Sequence, residues 1–128
     1  MMSFAHLTIA TRDVERTVAF FQGTMHWARV AAPANAPNEV AWIALQPGQQ
    51  IHILRIDGFE PSPFEEEFGR HFAVYHPVAD FPALKQRLTA HGAKLSDPIR
   101  PTPFERFFFK DPNGYMFEVI AQEQYVAE

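Results

Sequence analysis

The sequence lacks cysteine, has no cluster of basic residues and contains no long apolar run. Without cysteine, disulfides, a thiol nucleophile and a thiolate metal site are excluded. A net charge of −4 without a Lys/Arg cluster argues against a nucleic-acid partner. No apolar run approaches the roughly 20 residues that a membrane-spanning helix needs, so we expect no membrane partner. The N-terminus shows no basic segment followed by an apolar one, which predicts no signal peptide and a cytoplasmic location.

The composition and an internal repeat predict one domain over residues 1–128, made of modules 1–60 and 68–128. Hydrophobic residues form 47% of the 128 residues, enough for one soluble domain with a sizeable core. His71 stands 65 positions after His6, and Glu118 stands 66 positions after His52. Similar segments at a fixed spacing indicate duplicated structural units.

Each half reads as a strand, a helix and three strands. Asp13 and Asp80 are plausible helix N-caps, and Asp111-Pro112-Asn113-Gly114 is a strong hairpin turn signal. The predicted strands are 4–10, 27–32, 39–45, 50–56, 70–75, 94–95, 106–110 and 115–121, with a loop at 33–38. We therefore predict an α+β fold of two tandem βαβββ modules, forming a cupped, barrel-like mixed sheet backed by helices.

Residues 57–68 contain Pro61, Pro63 and a run of three glutamates, Glu65–Glu67. Proline and clustered charge are typical of connecting segments. We interpret this stretch as the linker between the modules and expect the acidic run to be solvated.

Alternation along the strands indicates where the candidate metal ligands point, because successive strand residues face opposite sides of a sheet. One predicted face is apolar and suits packing against helices: Leu7, Ile9, Ile51, Ile53, Phe72, Val74, Phe117 and Val119. The other face carries His6, His52, His71 and Glu118. A single strand histidine is ordinarily structural, and a single glutamate can pair with a nearby arginine. The mirrored spacing favours metal binding by His6, His71 and Glu118, with His52 either a direct ligand or a support.

These features resemble the vicinal oxygen chelate superfamily, which includes glyoxalase I, bleomycin- and fosfomycin-resistance proteins, methylmalonyl-CoA epimerase and extradiol dioxygenases. The resemblance rests on the double module, on His6-Leu7-Thr8-Ile9, on the His71 strand and on the ending Phe109-Lys110-Asp111-Pro112-Asn113-Gly114-Tyr115-Met116-Phe117-Glu118. It covers nearly the whole chain but does not single out one member.

The resemblance implies that His6, His71 and Glu118 match family ligand positions. His52 falls where glyoxalase I has a glutamate and the epimerase a glutamine, which argues against a glyoxalase I activity. Thr8 resembles a threonine near the metal of fosfomycin thiol transferases. The loop 97–105 lacks the Ser/Gly-rich potassium-binding character of those enzymes, which argues against fosfomycin as the substrate.

The ligand set suits one divalent ion, Fe, Mn, Co, Ni or Zn. We expect a metal-binding enzyme that takes a small-molecule substrate through adjacent oxygens, with lyase or isomerase, thiol-transferase or dioxygenase chemistry. Glu118 and Thr8 are the predicted catalytic residues, and Tyr75, Trp42 and Arg106 the predicted substrate-binding residues. Arg106 is alternatively an exposed hairpin charge. The alternative function is a metal-free, drug-sequestering protein of the bleomycin-resistance kind. The family favours a homodimer, and the site closes either within one chain or across the dimer.

Overall fold

Both halves of the chain fold as a strand, a helix and three further strands. The computed structural model describes residues 3–37 and 39–128. Met1, Met2 and Asn38, which belong to the predicted first module, lie outside the described residues. The chain divides into two units, Met1–Glu60 and Pro61–Glu128.

The first unit is a four-stranded sheet with one helix. Its elements are β1 (His6–Thr11), α1 (Val14–Thr24), β2 (Ala28–Val30), β3 (Val40–Gln46) and β4 (Gln49–Arg55). The strand order is β1-β4-β3-β2, with β1 and β4 parallel. Asp13 caps α1 as predicted, because its side chain accepts the Arg16 N–H at 3.0 Å.

The second unit repeats this arrangement. Its elements are β5 (Phe72–His76), a 3-10 turn (Val78–Asp80), α2 (Phe81–Ala90), β6 (Lys94–Ser96), β7 (Arg106–Lys110) and β8 (Met116–Ala121). The order is β5-β8-β7-β6, with β5 and β8 parallel. At the β7–β8 turn, Asp111 Oδ1 accepts the Asn113 and Tyr115 N–H groups, both at 2.9 Å. Gly114 adopts φ 93°, a conformation that glycine reaches without strain.

The predicted α+β fold of two tandem βαβββ modules is confirmed. Burial alternates along β1, β4 and β5, as predicted, whereas β8 is buried on both faces. Both helices rest on apolar side chains of their own sheets; the buried residues include Ile9, Val18, Phe21, Ile51, Ile53, Leu84, Leu88, Phe107, Phe117 and Val119. Within the described residues, no helix is long and apolar enough to cross a membrane.

The two sheets also share their register, which aligns the duplicated positions. Thr8 pairs with His52 across β1 and β4, and Ala73 pairs with Glu118 across β5 and β8. On the other side, His52 pairs with Trp42, and Glu118 pairs with Phe108. Directly opposite residues share a sheet face, so His52 and Glu118 hold equivalent places in their units.

The structure differs from the predictions at Asp80. Asp80 precedes α2, but its side chain makes no capping bond. Its Oδ2 instead accepts His76 Nε2 at 2.7 Å and Arg87 Nη2 at 2.8 Å. The pKa of Asp80 is held well below its ordinary value by Arg87 first and His76 second. The 3-10 turn explains the difference: Asp80 has αR backbone angles, φ −89° and ψ −4°, instead of the extended geometry that a capping side chain requires.

The expectation of a solvated acidic linker is wrong for two of its three glutamates. Glu65 is 3% exposed and forms a two-pronged ion pair with Arg70. Glu65 Oε1 also accepts the Met116 N–H at 2.7 Å. The Glu67 side chain is only 9% exposed and pairs with Arg106. Local composition does not reveal the contacts with Met116 and Arg106, because these partners lie 51 and 39 positions along the chain.

We expect Glu65→Gln to destabilise the protein by about 1–3 kcal/mol, since it weakens a buried acceptor and removes the charge that pairs with Arg70. Glu66→Gln, an exposed neighbour, is the matched control and should change stability by less than about 0.5 kcal/mol. Urea unfolding of the two variants makes the comparison. Equal stability of the two would show that the Glu65 contacts contribute nothing.

Candidate functional site

In the first unit, the candidate ligands form part of a stack of three aromatic rings. The His52 ring lies 3.9 Å from the His6 ring, centroid to centroid, at an interplanar angle of 15°. On its other side it lies 3.7 Å from the Trp42 ring at 6°. His6 is exposed, whereas His52 and Trp42 are half-buried. Pairing of β4 between β1 and β3 produces this order, because it sets His52 between the two outer rings.

The stack limits how the two histidines can bind a metal. An imidazole nitrogen directs its lone pair in the plane of the ring, so two nearly parallel stacked rings cannot both aim at one ion. His52 is the more restrained ring, because its Nε2 lies 2.9 Å from Gln50 Oε1. A hydrogen bond there requires the proton to be on Nε2. In this arrangement at most one of the two rings could bind a given ion, and His6 is the exposed one.

The environment of His52 favours the neutral imidazole. Burial lowers the pKa of His52 from its ordinary value, and the charge of a protonated His6 lowers it further. A neutral ring stacks on Trp42 without the cost of burying a cation.

In the second unit, His71 and Glu118 lie in direct contact. His71 Nε2 is 3.1 Å from Glu118 Oε1. His71 Nδ1 is 3.3 Å from the carbonyl oxygen of Glu66. His71 lies within the predicted strand 70–75 but directly precedes the observed strand β5. Its ring rests edge-on against Phe108, with centroids 5.3 Å apart. Glu118 lies in the middle of β8 and is 7% exposed.

This pair fits two ligands of one divalent ion. Donor atoms on adjacent vertices of a coordination sphere with bonds of about 2.1 Å lie about 3.0–3.4 Å apart. Both His71 nitrogens face oxygen atoms, and a cation at Nε2 would be bound by His71 and Glu118 together. Donation from Nδ1 to a main-chain carbonyl is the usual arrangement of a histidine that binds metal through Nε2.

Arg106 is buried and holds the other oxygen of Glu118, which corrects the alternative of an exposed hairpin charge. Its Nη1 donates to Glu118 Oε2 at 3.1 Å, and its Nη2 donates to Glu67 Oε2 at 3.1 Å. Nη2 also donates to the Arg100 carbonyl oxygen at 2.5 Å. The Arg106 side chain is 2% exposed, so an anionic substrate group would have to displace a carboxylate to reach it.

Glu67 is the residue of this cluster that sequence reasoning missed. Burial raises the pKa of Glu67, but the Ile99 and Arg100 N–H groups and Arg106 outweigh it, and the pKa ends below its ordinary value. Glu67 therefore stays ionised beside Arg106. The position of Glu67 in a run of charged residues gave no signal, since its partners follow it by 32 or more positions.

The remaining predicted site residues lie on the predicted sheet faces. Thr8 is exposed on the face of β1 that also carries His6. Tyr75 is 56% exposed, and its ring lies 5.4 Å from the Tyr125 ring. Within residues 3–37 and 39–128, no group of three or more His, Asp or Glu side chains stands ready to hold a metal ion. Each unit brings together two of the candidates.

The sequence of the chain defines its family. Residues 3–119 match the Glyoxalase/Bleomycin resistance protein/Dioxygenase superfamily. The chain belongs to this superfamily, which confirms the resemblance inferred from its motifs. No curated protein matches the chain.

Solved structures share the fold at low sequence identity. A mutant of the fosfomycin resistance protein FosX from Listeria monocytogenes, complexed with Mn(II) and 1S,2S-dihydroxypropylphosphonic acid, has a TM-score of 0.76 at 21% identity, covering 97% of each chain. FosX from Mesorhizobium loti has a TM-score of 0.73 at 21% identity, over 94% of this chain and 93% of that one. A putative glyoxalase family protein from Bacillus anthracis has a TM-score of 0.74 at 24% identity, over 94% of both. At such identities the likeness establishes the fold alone.

The aromatic stack generates a prediction about pH. Because its folded-state pKa is lowered, His52 should titrate below about 6.5, the usual histidine value, in the metal-free protein. As pH falls through that value, the unfolded chain takes up the proton first, so this group costs stability below it and nothing well above it. His6→Asn should raise the pKa of His52 in part, since burial, the larger cause, remains. NMR titration of the ring signals tests this; a His52 pKa at or above the usual value would contradict it.

Proposed function

We propose that this protein is a metal-dependent enzyme that binds a small substrate through adjacent oxygens. The ligands proposed are His6 from the first unit and His71 and Glu118 from the second, with His52 supporting His6. The observation that carries the proposal is the contact of His71 Nε2 with Glu118 Oε1 at 3.1 Å, with His71 Nδ1 held by a main-chain carbonyl. This contact supports a role for His71 and Glu118 as two ligands of one metal ion better than it supports a purely structural role for His71.

The proposed donor set favours a borderline divalent ion. Imidazole nitrogen and carboxylate oxygen suit Mn, Fe, Co, Ni or Zn, and three protein ligands leave positions open for substrate. A bound ion would supply Lewis-acid stabilisation of negative charge on the substrate oxygens. The Mn(II) in the FosX complex is consistent with this choice.

The chain's own residues supply the rest of the proposed chemistry. Glu118 Oε1 would accept or return a proton, while Oε2 stays bonded to Arg106. The Thr8 hydroxyl, exposed on the sheet face of His6, would donate a hydrogen bond to a substrate oxygen. Trp42 would hold His52 in place, and Tyr75 would offer an exposed hydroxyl at the same sheet face as Glu118.

The substrate class follows from this arrangement only in outline. The organic ligand of the FosX complex carries hydroxyl groups on adjacent carbons, which supports a vicinal-oxygen substrate here. The loop 97–105 argues against fosfomycin itself as the substrate, and this remains a prediction. The homodimer and the cytoplasmic location also remain predictions. Isomerisation, thiol transfer and ring cleavage remain separate reaction classes within the proposal.

The ligand assignment is tested by metal affinity. His71→Ala and Glu118→Gln should each lower Mn(II) affinity at least tenfold, because each removes a proposed ligand. Isothermal titration calorimetry on metal-free protein measures the change. His91→Ala is the matched control, since His91 lies at the C-terminus of α2 and its Nδ1 bonds the Arg87 carbonyl. Equal affinity of His71→Ala and His91→Ala would reject the assignment.

The reaction class is tested with and without metal. We expect a chelator to abolish turnover of one of three substrate classes: α-keto thiol adducts, epoxides including fosfomycin, or catechols with dioxygen. One divalent ion should restore turnover better than the others. Turnover that survives complete metal removal would reject the metal-dependent mechanism, whereas tight substrate binding without turnover would favour the metal-free binding protein.

A further inference from the structure

The second unit contains a buried arginine whose two terminal nitrogens are divided between two carboxylates. Arg106 Nη1 binds Glu118 Oε2, and Nη2 binds Glu67 Oε2, each at 3.1 Å. An arginine beside a single carboxylate ordinarily binds both of its oxygens with two parallel hydrogen bonds. Here that arrangement is absent, and Glu118 accepts from the arginine through only one of its oxygens.

Glu67 is fixed strongly enough to keep its share of Arg106. Its Oε1 accepts the Ile99 N–H at 2.7 Å, and its Oε2 accepts the Arg100 N–H at 3.0 Å. The Arg100 carbonyl oxygen returns a bond to Arg106 Nη2. Four hydrogen bonds thus tie Glu67, Arg106 and the main chain at residues 99–100 together. The remaining donor, Arg106 Nε, is buried and has no partner within the described residues.

We infer that Glu67 is a positioning residue: by occupying Arg106 Nη2, it prevents Arg106 from capturing both oxygens of Glu118 and leaves Glu118 Oε1 facing His71. Removal of the Glu67 charge weakens the hold on one of the two Nη2 hydrogens, while the other stays on the Arg100 carbonyl oxygen. Glu118 then turns to bind Arg106 with both oxygens, and Oε1 moves away from His71 Nε2. Within the described residues, Glu67 bonds Arg106 and the main chain at residues 99–100, so its effect on Glu118 runs through Arg106.

The effect of Glu67 on metal binding rests on the proposed function, which this inference deepens. The effect of Glu67 on the position of Glu118 needs no metal. The first arm is therefore a crystal structure of metal-free Glu67→Gln. We expect the separation of His71 Nε2 and Glu118 Oε1 to grow beyond hydrogen-bond range, with both Glu118 oxygens on Arg106. A separation that stays near 3.1 Å would overturn the inference.

The second arm measures Mn(II) affinity by calorimetry. Glu67→Gln should weaken binding about 10- to 100-fold, the usual effect of losing a residue that orients a ligand. Glu67→Asp, which keeps the charge, should recover part of the affinity. Glu105→Gln is the matched control, because Glu105 is exposed and adjoins Arg106 in sequence. This variant should bind Mn(II) with the affinity of the wild type.

A double variant separates this role from general stabilisation. Lysine has no fork with which to bind two oxygens. Arg106→Lys added to Glu67→Gln should therefore bind Mn(II) more tightly than Glu67→Gln alone, although it removes another buried ion-pair partner. Thermal denaturation checks that both variants are folded. If the folded double variant binds Mn(II) more weakly than Glu67→Gln, the inference is overturned. Failure of the wild type to bind any divalent ion would reject the proposed function, and the crystallographic arm would still decide the role of Glu67.

Discussion

The structure of both units depends on parallel pairing of the first strand with the last. In each unit this pairing sets the last strand in the middle of the sheet, between the first strand and a hairpin partner. A residue on that central strand therefore has cross-strand neighbours on both sides. His52 lies between Thr8 and Trp42, and Glu118 lies between Ala73 and Phe108. A one-residue slip of register would turn each of them to the helix-covered face, so the apolar core fixes where these polar side chains point.

Short-range rules explain which parts of this arrangement were predictable from the sequence. Asp13 was identified as a cap, and Asp111-Pro112-Asn113-Gly114 as a turn, because their partners lie within four residues. Alternation along the strands predicted the common face because it depends only on spacing. Sequence reasoning fails at Asp80 because a 3-10 turn and the nearby side chains of His76 and Arg87 offer its carboxylate other partners. Glu65 and Glu67 were misread because Met116 and Arg106 follow them by 51 and 39 positions, respectively.

The acidic run illustrates how carboxylates stabilise neighbouring arginines. A buried arginine is costly unless carboxylates and carbonyls satisfy it. Arg106 finds two carboxylates and one carbonyl, and Arg70 finds Glu65 and the face of Tyr115, 5.1 Å from the ring centroid. The segment that carries Glu65 and Glu67 also offers the Glu66 carbonyl to His71. The segment 57–68, which its composition marks as a connector, thus contacts His71 directly and Glu118 through Arg106.

The duplicated register carries different chemistry in the two units. Where the first unit has His52 and Trp42, the second has Glu118 and Phe108; where the first has Val40, the second has Arg106. The first unit consequently presents stacked rings, with burial favouring a neutral His52, while the second presents a carboxylate held in a network of ions. Of the residues at these matched central-strand positions, Glu118 is a carboxylate, which could offset part of the charge of a cation, and His52 is a ring fixed between two other rings. One register therefore holds a stacked imidazole in one unit and an arginine-paired carboxylate in the other, and the difference lies in the side chains and not in the strand geometry.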